Sequence, residues 1–359
     1  MDPALFRQSS YGLNAAAKLE LLLPQLQQLT QQHKRSCEPY ARILRAFSQV
    51  EKASTLADLP YLPVRLFKTH TLRSIAEQEV FKVLTSSGTT SQQVSRIYLD
   101  TTTAQLQTKA LVAILQDFLG KHRRPMLIVD HPNVIKNRAE FSARGAGILG
   151  VSTFGRDHTY LLNEQMEIDF ETLEAFLDKH SGKPLLMFGF TFMIWQYLYQ
   201  SLLKTGKKVD LSRAFLLHSG GWKKLAEQAV DNATFKDSLQ ELTGITQIAN
   251  FYGMVEQVGS IFVECVMGHL HTPIFADVIV RDPETWGVAE HGELGVIEVL
   301  SILPQSYPGH VLLTEDLGRV LGEDDCSCGR LGKYFEVEGR IPLAELRGCS
   351  DTHSLVATA

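Results

Sequence analysis

The sequence predicts an α/β fold, with helices flanking mixed, largely parallel sheets and a smaller β-rich part behind them. Three observations predict it. Between residues 81 and 251, short apolar runs alternate with helical stretches, the pattern of strands joined by crossover helices. After Ser260 the helical stretches stop and strand-like runs follow one another. The 359 residues, 44% of them hydrophobic, are enough to bury a sizeable core without covalent staples.

The elements follow in order. Residues 14–50 are rich in Leu, Gln and Ala and predict helices. Residues 59–69 hold two prolines and read as an extended connection. Runs 81–84, 126–129, 185–188, 214–217 and 247–251 read as buried strands. Stretches 103–119, 170–180, 191–203 and 223–242 read as helices, with Asp100 or Thr102 placed to cap the first. Runs 261–266, 275–280, 295–300, 311–314 and 334–337 predict the strands of the β-rich part. The expected organisation is a helical segment (1–60), an α/β core (61–258), a β-rich subdomain (259–342) and a short, mobile tail (343–359).

Composition excludes some functions. The formal net charge is −5, a poor match for a protein that coats nucleic acid. Five cysteines are too few, and odd in number, for a disulfide scaffold. Their reading is metal or thiol chemistry in a reducing compartment. Residues 1–10 lack a basic-then-apolar leader pattern, and the most apolar run, 185–195, is about half the ~20 residues of a membrane helix. The expectation is a soluble, cytoplasmic protein with no nucleic acid partner and no membrane insertion.

Several strings carry chemistry. Thr85-Ser86-Ser87-Gly88-Thr89-Thr90 follows a strand, so its hydroxyls and backbone N–H groups can cradle phosphate; an ordinary Ser/Thr turn is the alternative. It is not a Walker A loop, because no such string occurs. Gly145-Ala146-Gly147-Ile148-Leu149-Gly150 matches the dinucleotide fingerprint but lacks the preceding apolar strand, and reads as a packing turn. Tyr252-Gly253-Met254-Val255-Glu256 offers a ring for a purine, a turn and a carboxylate for Mg²⁺. Ser219-Gly220-Gly221-Trp222 permits close approach of a planar ring or an anion. Asp316, after a strand, can take both hydroxyls of a ribose, and Arg340 can contact phosphate. Cys326 and Cys328 form a close thiol pair, and Cys265, His269 and His271 a second cluster. Three thiolates and one imidazole (His269 or His271) would close a tetrahedral, structural Zn²⁺ site; a reduced, unliganded pair is the alternative. Met187, Phe188, Phe190, Met193 and Trp195 read as core, or as the lining of an apolar channel.

The order of these strings resembles the adenylate-forming enzymes, and within them the phenylacetate-CoA ligase branch. Pro63-Val64-Arg65-Leu66-Phe67-Lys68, Ser87-Gly88-Thr89-Thr90, Tyr252-Gly253-Met254-Val255-Glu256-Gln257 and Arg347-Gly348-Cys349-Ser350 look like the acyl-protein synthetases of bacterial bioluminescence, the LuxE family. The resemblance runs from about residue 60 to 355. It implies the N-terminal-domain architecture of adenylate-forming enzymes without the usual full C-terminal domain. It also implies an ATP- and Mg²⁺-dependent ligase that turns a fatty acid into acyl-AMP. The acyl group then passes to Cys349, for delivery to an acyl reductase partner that uses NADPH. In that resemblance Ser86, Ser87, Gly88, Thr89 and Thr90 hold phosphates. Gly220, Gly221, Tyr252 and Gly253 lie at the adenine, with Trp222 beside them. Glu256 takes Mg²⁺, Asp316 the ribose, and Arg340 the hinge. The Cys328-Gly329-Arg330 string also occurs in related ligases. Two departures stand out. Ser91 replaces a usual glycine, and Val255 a usual threonine near the α-phosphate, leaving Thr89 or Gln257 to serve there. Direct transfer to CoA, and a nucleotide-binding scaffold without turnover, are the rival readings.

Overall fold

The structure, a computed structural model, describes residues 3–47, 53–86, 94–135 and 143–341. Helices α1 (Ala15–Ser36) and α2 (Glu38–Phe47) open the fold, and the Asn14 side chain caps α1 by accepting from the Ala17 N–H at 3.0 Å. A two-residue strand β1 (Leu62–Pro63) and a single turn α3 (Leu66–Thr69) follow. Then come the hairpin β2 (Lys82–Thr85) and β3 (Arg96–Leu99) and helix α4 (Thr101–Leu119), capped by Asp100 at 2.7 Å.

The central region runs β4 (Arg124–Ile128), α5 (Ala143–Ser152), β5 (Gly155–Tyr160), α6 (Phe170–Lys179) and β6 (Leu185–Phe190). It continues through α7 (Thr191–Met193), α8 (Gln200–Thr205), β7 (Ala214–Ser219), α9 (Asn232–Thr243) and β8 (Gln247–Tyr252). The last region is all strand: β9 (Phe262–Glu264), β10 (Leu270–His271), β11 (Ala276–Arg281), β12 (Gly295–Ser301), β13 (Val311–Glu323) and β14 (Lys333–Arg340).

The large sheet holds twelve of these strands, in the order β11-β12-β13-β14-β10-β9-β8-β7-β6-β4-β5, with β1 beside β13. The β5-β4-β6-β7-β8 half is parallel, and the half from β9 to β11 antiparallel. The predicted α/β class, parallel core first and β-rich part after, is the observed architecture. The two parts share one sheet, because β8 pairs with β9 through Phe251–Val263 and Tyr252–Phe262. Nor does the N-terminal segment stand apart. Buried Lys18 of α1 donates to Thr272 Oγ1 at 2.6 Å and sits 3.5 Å from Asp277, which Lys333 also pairs.

Two apolar clusters cover the two faces of the parallel strands. On β6, Leu186 and Phe188 serve one face, Leu185 and Met187 the other. Met187, Phe188, Met193 and Trp195 are all core.

Some local expectations change. The run at 81–84 is an exposed two-stranded hairpin rather than a buried strand, since β2 pairs with β3 alone and Phe81 and Val83 face outward. The glycine string 145–150 lies in helix α5 rather than a turn, and Gly147 there lets the Phe190 ring approach, since a Cβ would lie 3.0 Å from it. The helix expected over 223–242 breaks into a 3-10 stretch (Lys223–Gln228) and α9, because the Asp231 carboxylate caps a fresh start at the Thr234 N–H, 2.8 Å away. The stretch after β6 includes a π-helical turn, Ile194–Tyr199. Among the described residues, no helix is long and apolar enough to cross a membrane.

Candidate nucleotide site and metal centre

The carboxyl ends of parallel strands are where an open α/β sheet leaves a crevice for a ligand. Here the ends of β6, β7 and β8 form a row: Phe190 opposite Ser219, and Ser219 opposite Phe251. The Ser219 hydroxyl donates to the Phe251 carbonyl at 2.8 Å and ties two strand ends together. The chain then leaves β7 through Gly220, whose φ of +84° suits glycine, and the exposed Gly221. Trp222 turns back against Trp195 and Phe235, with ring centroids 5.4 and 6.2 Å away, so its ring packs in an aromatic cluster.

At the end of β8, the Tyr252 hydroxyl donates to Asp316 Oδ2 at 2.6 Å. Arg340 Nε lies 3.5 Å from the other oxygen of Asp316, and the two residues stand opposite in the β13–β14 ladder. Burial, then the neighbouring Asp316 carboxylate, pushes the Tyr252 phenol well up, so it stays a donor. The Thr314 hydroxyl donates to the Ile297 carbonyl at 2.8 Å and accepts from the Asp316 N–H at 3.1 Å, which fixes the strand that carries Asp316. Gly253 follows Tyr252 directly, with space for a Cβ limited to 3.0 Å from Ile261.

Glu256 sits on the 3-10 turn Val255–Gln257 and is buried. Burial raises its carboxyl above the usual range; the Ser95 hydroxyl and then the Lys68 and Arg340 charges pull the other way. The base of the hydroxyl loop is closed beside it. The Ser86 N–H donates to the Ser95 carbonyl at 3.2 Å, and the Ser95 N–H to Ser86 Oγ at 2.9 Å. Ser87, Gly88, Thr89 and Thr90, and likewise Ser91, lie outside the described residues, as does Cys349. Gln257 is turned inward, donating to the carbonyls of Val299 and Gly309 at 3.2 and 3.0 Å, so its amide nitrogen is engaged in the core.

Sequence reasoning missed Ser95 and gave Lys68 no role of its own, though it singled out the string 63–68. That string lies along β13, with the Val64 N–H on the Leu313 carbonyl at 2.9 Å and the Arg65 guanidinium paired with Glu315, which brings Lys68 towards Glu256.

The Cys/His cluster assembles as well. Donor atoms of Cys265, His271, Cys326 and Cys328 all lie within 4.8 Å of one another. Cys265 and Cys326 sulfurs are 4.0 Å apart, and Cys328 Sγ is 3.3 Å from His271 Nε2. Metal–sulfur bonds of about 2.3 Å in a tetrahedron require sulfur–sulfur edges of about 3.8 Å, so the donor set fits Zn²⁺. The Met267 N–H points to Cys265 Sγ at 3.3 Å and the Arg330 N–H to Cys328 Sγ at 3.5 Å, two turns that support thiolates. Burial opposes ionisation of Cys328, yet the Arg330 N–H and the neighbouring thiols bring it below its ordinary value. Burial holds His271 down at about 4, so its imidazole is neutral at neutral pH, the form that can ligate a metal. His269 lies outside the four-donor group, with Nδ1 3.6 Å from Cys326 Sγ and its ring stacked on Tyr334.

Residues 8–357 match the family described as "Acyl-protein synthetase, LuxE". The chain is 25% identical over 348 residues to a long-chain-fatty-acid–luciferin-component ligase of Vibrio harveyi, covering 92% of this chain and 86% of that one. It is 23% identical to the protein of that name from Aliivibrio fischeri, over 82% and 78% of the two chains. Among solved structures, a 2-hydroxyisobutyryl-CoA ligase in complex with 2-HIB-AMP and CoA superposes with a TM-score of 0.70 at 18% identity, over 93% of this chain and 77% of that one.

Proposed function

The chain belongs to the LuxE acyl-protein synthetase family and is an ATP-dependent acyl ligase; on that premise we propose that it activates a long-chain fatty acid and captures it as a thioester on its own Cys349. The observation that carries the reading is the convergence of Tyr252, Asp316, Arg340 and Glu256 around the end of β8, beside the base of the hydroxyl loop.

A fatty carboxylate oxygen attacks the α-phosphorus of ATP, and the bond to the β-phosphate oxygen breaks, releasing pyrophosphate. The Cys349 thiolate then attacks the acyl carbonyl, and AMP leaves with the electron pair of the broken bond. Asp316 would accept from the ribose hydroxyls, exchanging its bond to Tyr252 for ligand donors. Tyr252 and the Gly220–Gly221 turn would flank the base, with Gly253 beside them. Arg340 would move from Asp316 to phosphate. The hydroxyl loop, Ser86 to Thr90, would donate to the phosphates, and Thr89 to the α-phosphate where Val255 offers no hydroxyl. Glu256 suits Mg²⁺, whose charge would offset that of the phosphates. Catalysis in this scheme is positioning and charge neutralisation. Cys265, His271, Cys326 and Cys328 would hold Zn²⁺ in a closed, structural site. A partner acyl reductase would take the acyl group from Cys349.

Intact-protein mass spectrometry tests the reading, after incubation with ATP, Mg²⁺ and a panel of fatty and aryl acids. The expected result is an ATP-dependent gain of one acyl group, removed by hydroxylamine and absent in Cys349→Ser. AMP release without an adduct would point to CoA as acceptor. Neither AMP nor adduct with any acid would overturn the reading.

A further inference from the structure

We propose that the metal centre fastens a strap, residues 9–18, to the β-rich half of the sheet, an inference that rests on the Zn²⁺ reading of Cys265, His271, Cys326 and Cys328. The loop between β13 and β14 supplies the geometry. Glu323 pairs with Lys333 at its base, and residues 324–332 carry two of the four donors, Cys326 and Cys328. Cys265 follows β9, and His271 lies on β10. The cysteines bring the middle of the loop against these strands, with Cys326 Sγ 4.0 Å from Cys265 Sγ and Cys328 Sγ 3.3 Å from His271 Nε2. Thiols are weak hydrogen-bonding groups, whereas the same atoms bound to one metal ion become a cross-link. The metal therefore decides how firmly the loop is held.

The strap is built onto the same loop. The Leu331 N–H donates to the Tyr11 carbonyl at 3.0 Å. Asp324 uses both carboxylate oxygens: Oδ2 accepts from the Ala15 N–H at 2.8 Å, and Oδ1 from the Gly332 N–H at 2.7 Å. One side chain thus closes the loop and holds the first residue of α1. Tyr11 is buried, its ring edge-on to His271 with centroids 6.0 Å apart, and the Arg330 guanidinium lies 5.2 Å from the ring centroid. Two further anchors sit beside His271: the Ile274 N–H donates to the Ser10 carbonyl at 2.8 Å, and Lys18 Nζ to Thr272 Oγ1. Other contacts lead to α4, where the Ser10 N–H donates to Asp117 Oδ2 at 3.0 Å and Tyr11 stands edge-on to Phe118. Arg330 of the loop covers Phe118 as well, 4.4 Å from its centroid. A loop that loses its metal therefore loses most of the surface on which the strap is docked. Coupling of this kind is reciprocal, so the docked strap in turn raises the affinity for the metal.

The test is amide hydrogen exchange on the full chain, loaded with Zn²⁺ and again after a chelator has removed it at low temperature. Peptides covering residues 9–18 should exchange about tenfold faster or more without the metal, while those of β6 and β7 stay unchanged. Asp324→Gly cuts the strap from the loop without touching a donor, and the φ of +66° at that position suits glycine. This variant should still bind zinc, exchange faster over residues 9–18, and hold zinc about tenfold more weakly against a competing chelator, the scale of losing an outer support of a metal site. The chelator arm on the wild type keeps the test available if the variant fails to fold. Zinc removed with the protection of residues 9–18 intact would overturn the inference and leave the metal reading standing. So would an equal rise in exchange over β6 and β7, which would mean opening of the whole chain. A chain that takes up no zinc would overturn both.

Discussion

At one end of β14, Tyr334 lies against the Cys/His cluster; at the other, Arg340 faces Asp316. Six residues at about 3.3 Å each put some 20 Å between them. The two ends handle polar groups in opposite ways. At the cysteine end the donors converge on one point, supported by backbone N–H groups. At the arginine end the polar groups satisfy one another: Tyr252 on Asp316, Arg340 on Asp316, Ser86 on Ser95. Mutual pairing keeps a half-open site from leaving charges unsatisfied, and each bond can be exchanged for one to a ligand. A converged donor set has no such alternative and suits a permanent guest.

Four experiments break or sharpen this contrast, the largest effect first. Glu256→Gln should lower pyrophosphate exchange by about 10³-fold, the scale of losing one preorganised charge contact, and leave the melting temperature within a few degrees. Retained exchange would remove Glu256 from the metal's shell. Asp316→Ala should raise KM for ATP by roughly 10–100-fold through two lost charged hydrogen bonds, with a smaller change in kcat. Cys328→Ser should do the reverse. The melting temperature should drop by roughly 5–10 °C, as a few kcal/mol would in a chain of this size, together with loss of bound zinc by elemental analysis, while exchange at low temperature stays within about twofold. Equal damage to exchange would mean that the two ends are not independent.

The smallest effect is in pH. Burial raises Glu256, so its ionised form, and the exchange that depends on it, is lost on the acid side at a higher pH than for an ordinary glutamate. An acid limb of wild-type exchange at the pH of an ordinary glutamate would contradict this.

Much of this molecule is legible before the chain is folded. The buried parallel strands announce themselves as apolar runs, and Asp100 as a cap. Tyr252 and Arg340 are each marked by a neighbouring glycine at a strand end, whereas Asp316, expected just after a strand, lies inside the longer β13. What escapes is what requires two distant segments. β5 was missed because it is the polar edge of the sheet, with Arg156, Asp157 and His158 where an apolar run would have marked it. Ser95 carries no local signal and Lys68 only its place in the string 63–68; both acquire meaning once folding sets them near Ser86 and Glu256. The two thiol clusters were visible in sequence, but their convergence depends on β10 pairing with β14.

The pairing of β1 with β13 also bears on how the protein is made. Arg65 and Glu315, which lock that contact, are 250 residues apart in the chain. Closing so long a loop is slow, and a growing polypeptide cannot do it until most of its length has left the ribosome. The Pro63–Lys68 strip must therefore wait, extended and without its strand partner, while the parallel core assembles. The strand ends that would carry ATP are completed late in synthesis, so a truncated product that lacks β13 lacks Asp316 and with it the proposed ribose contact.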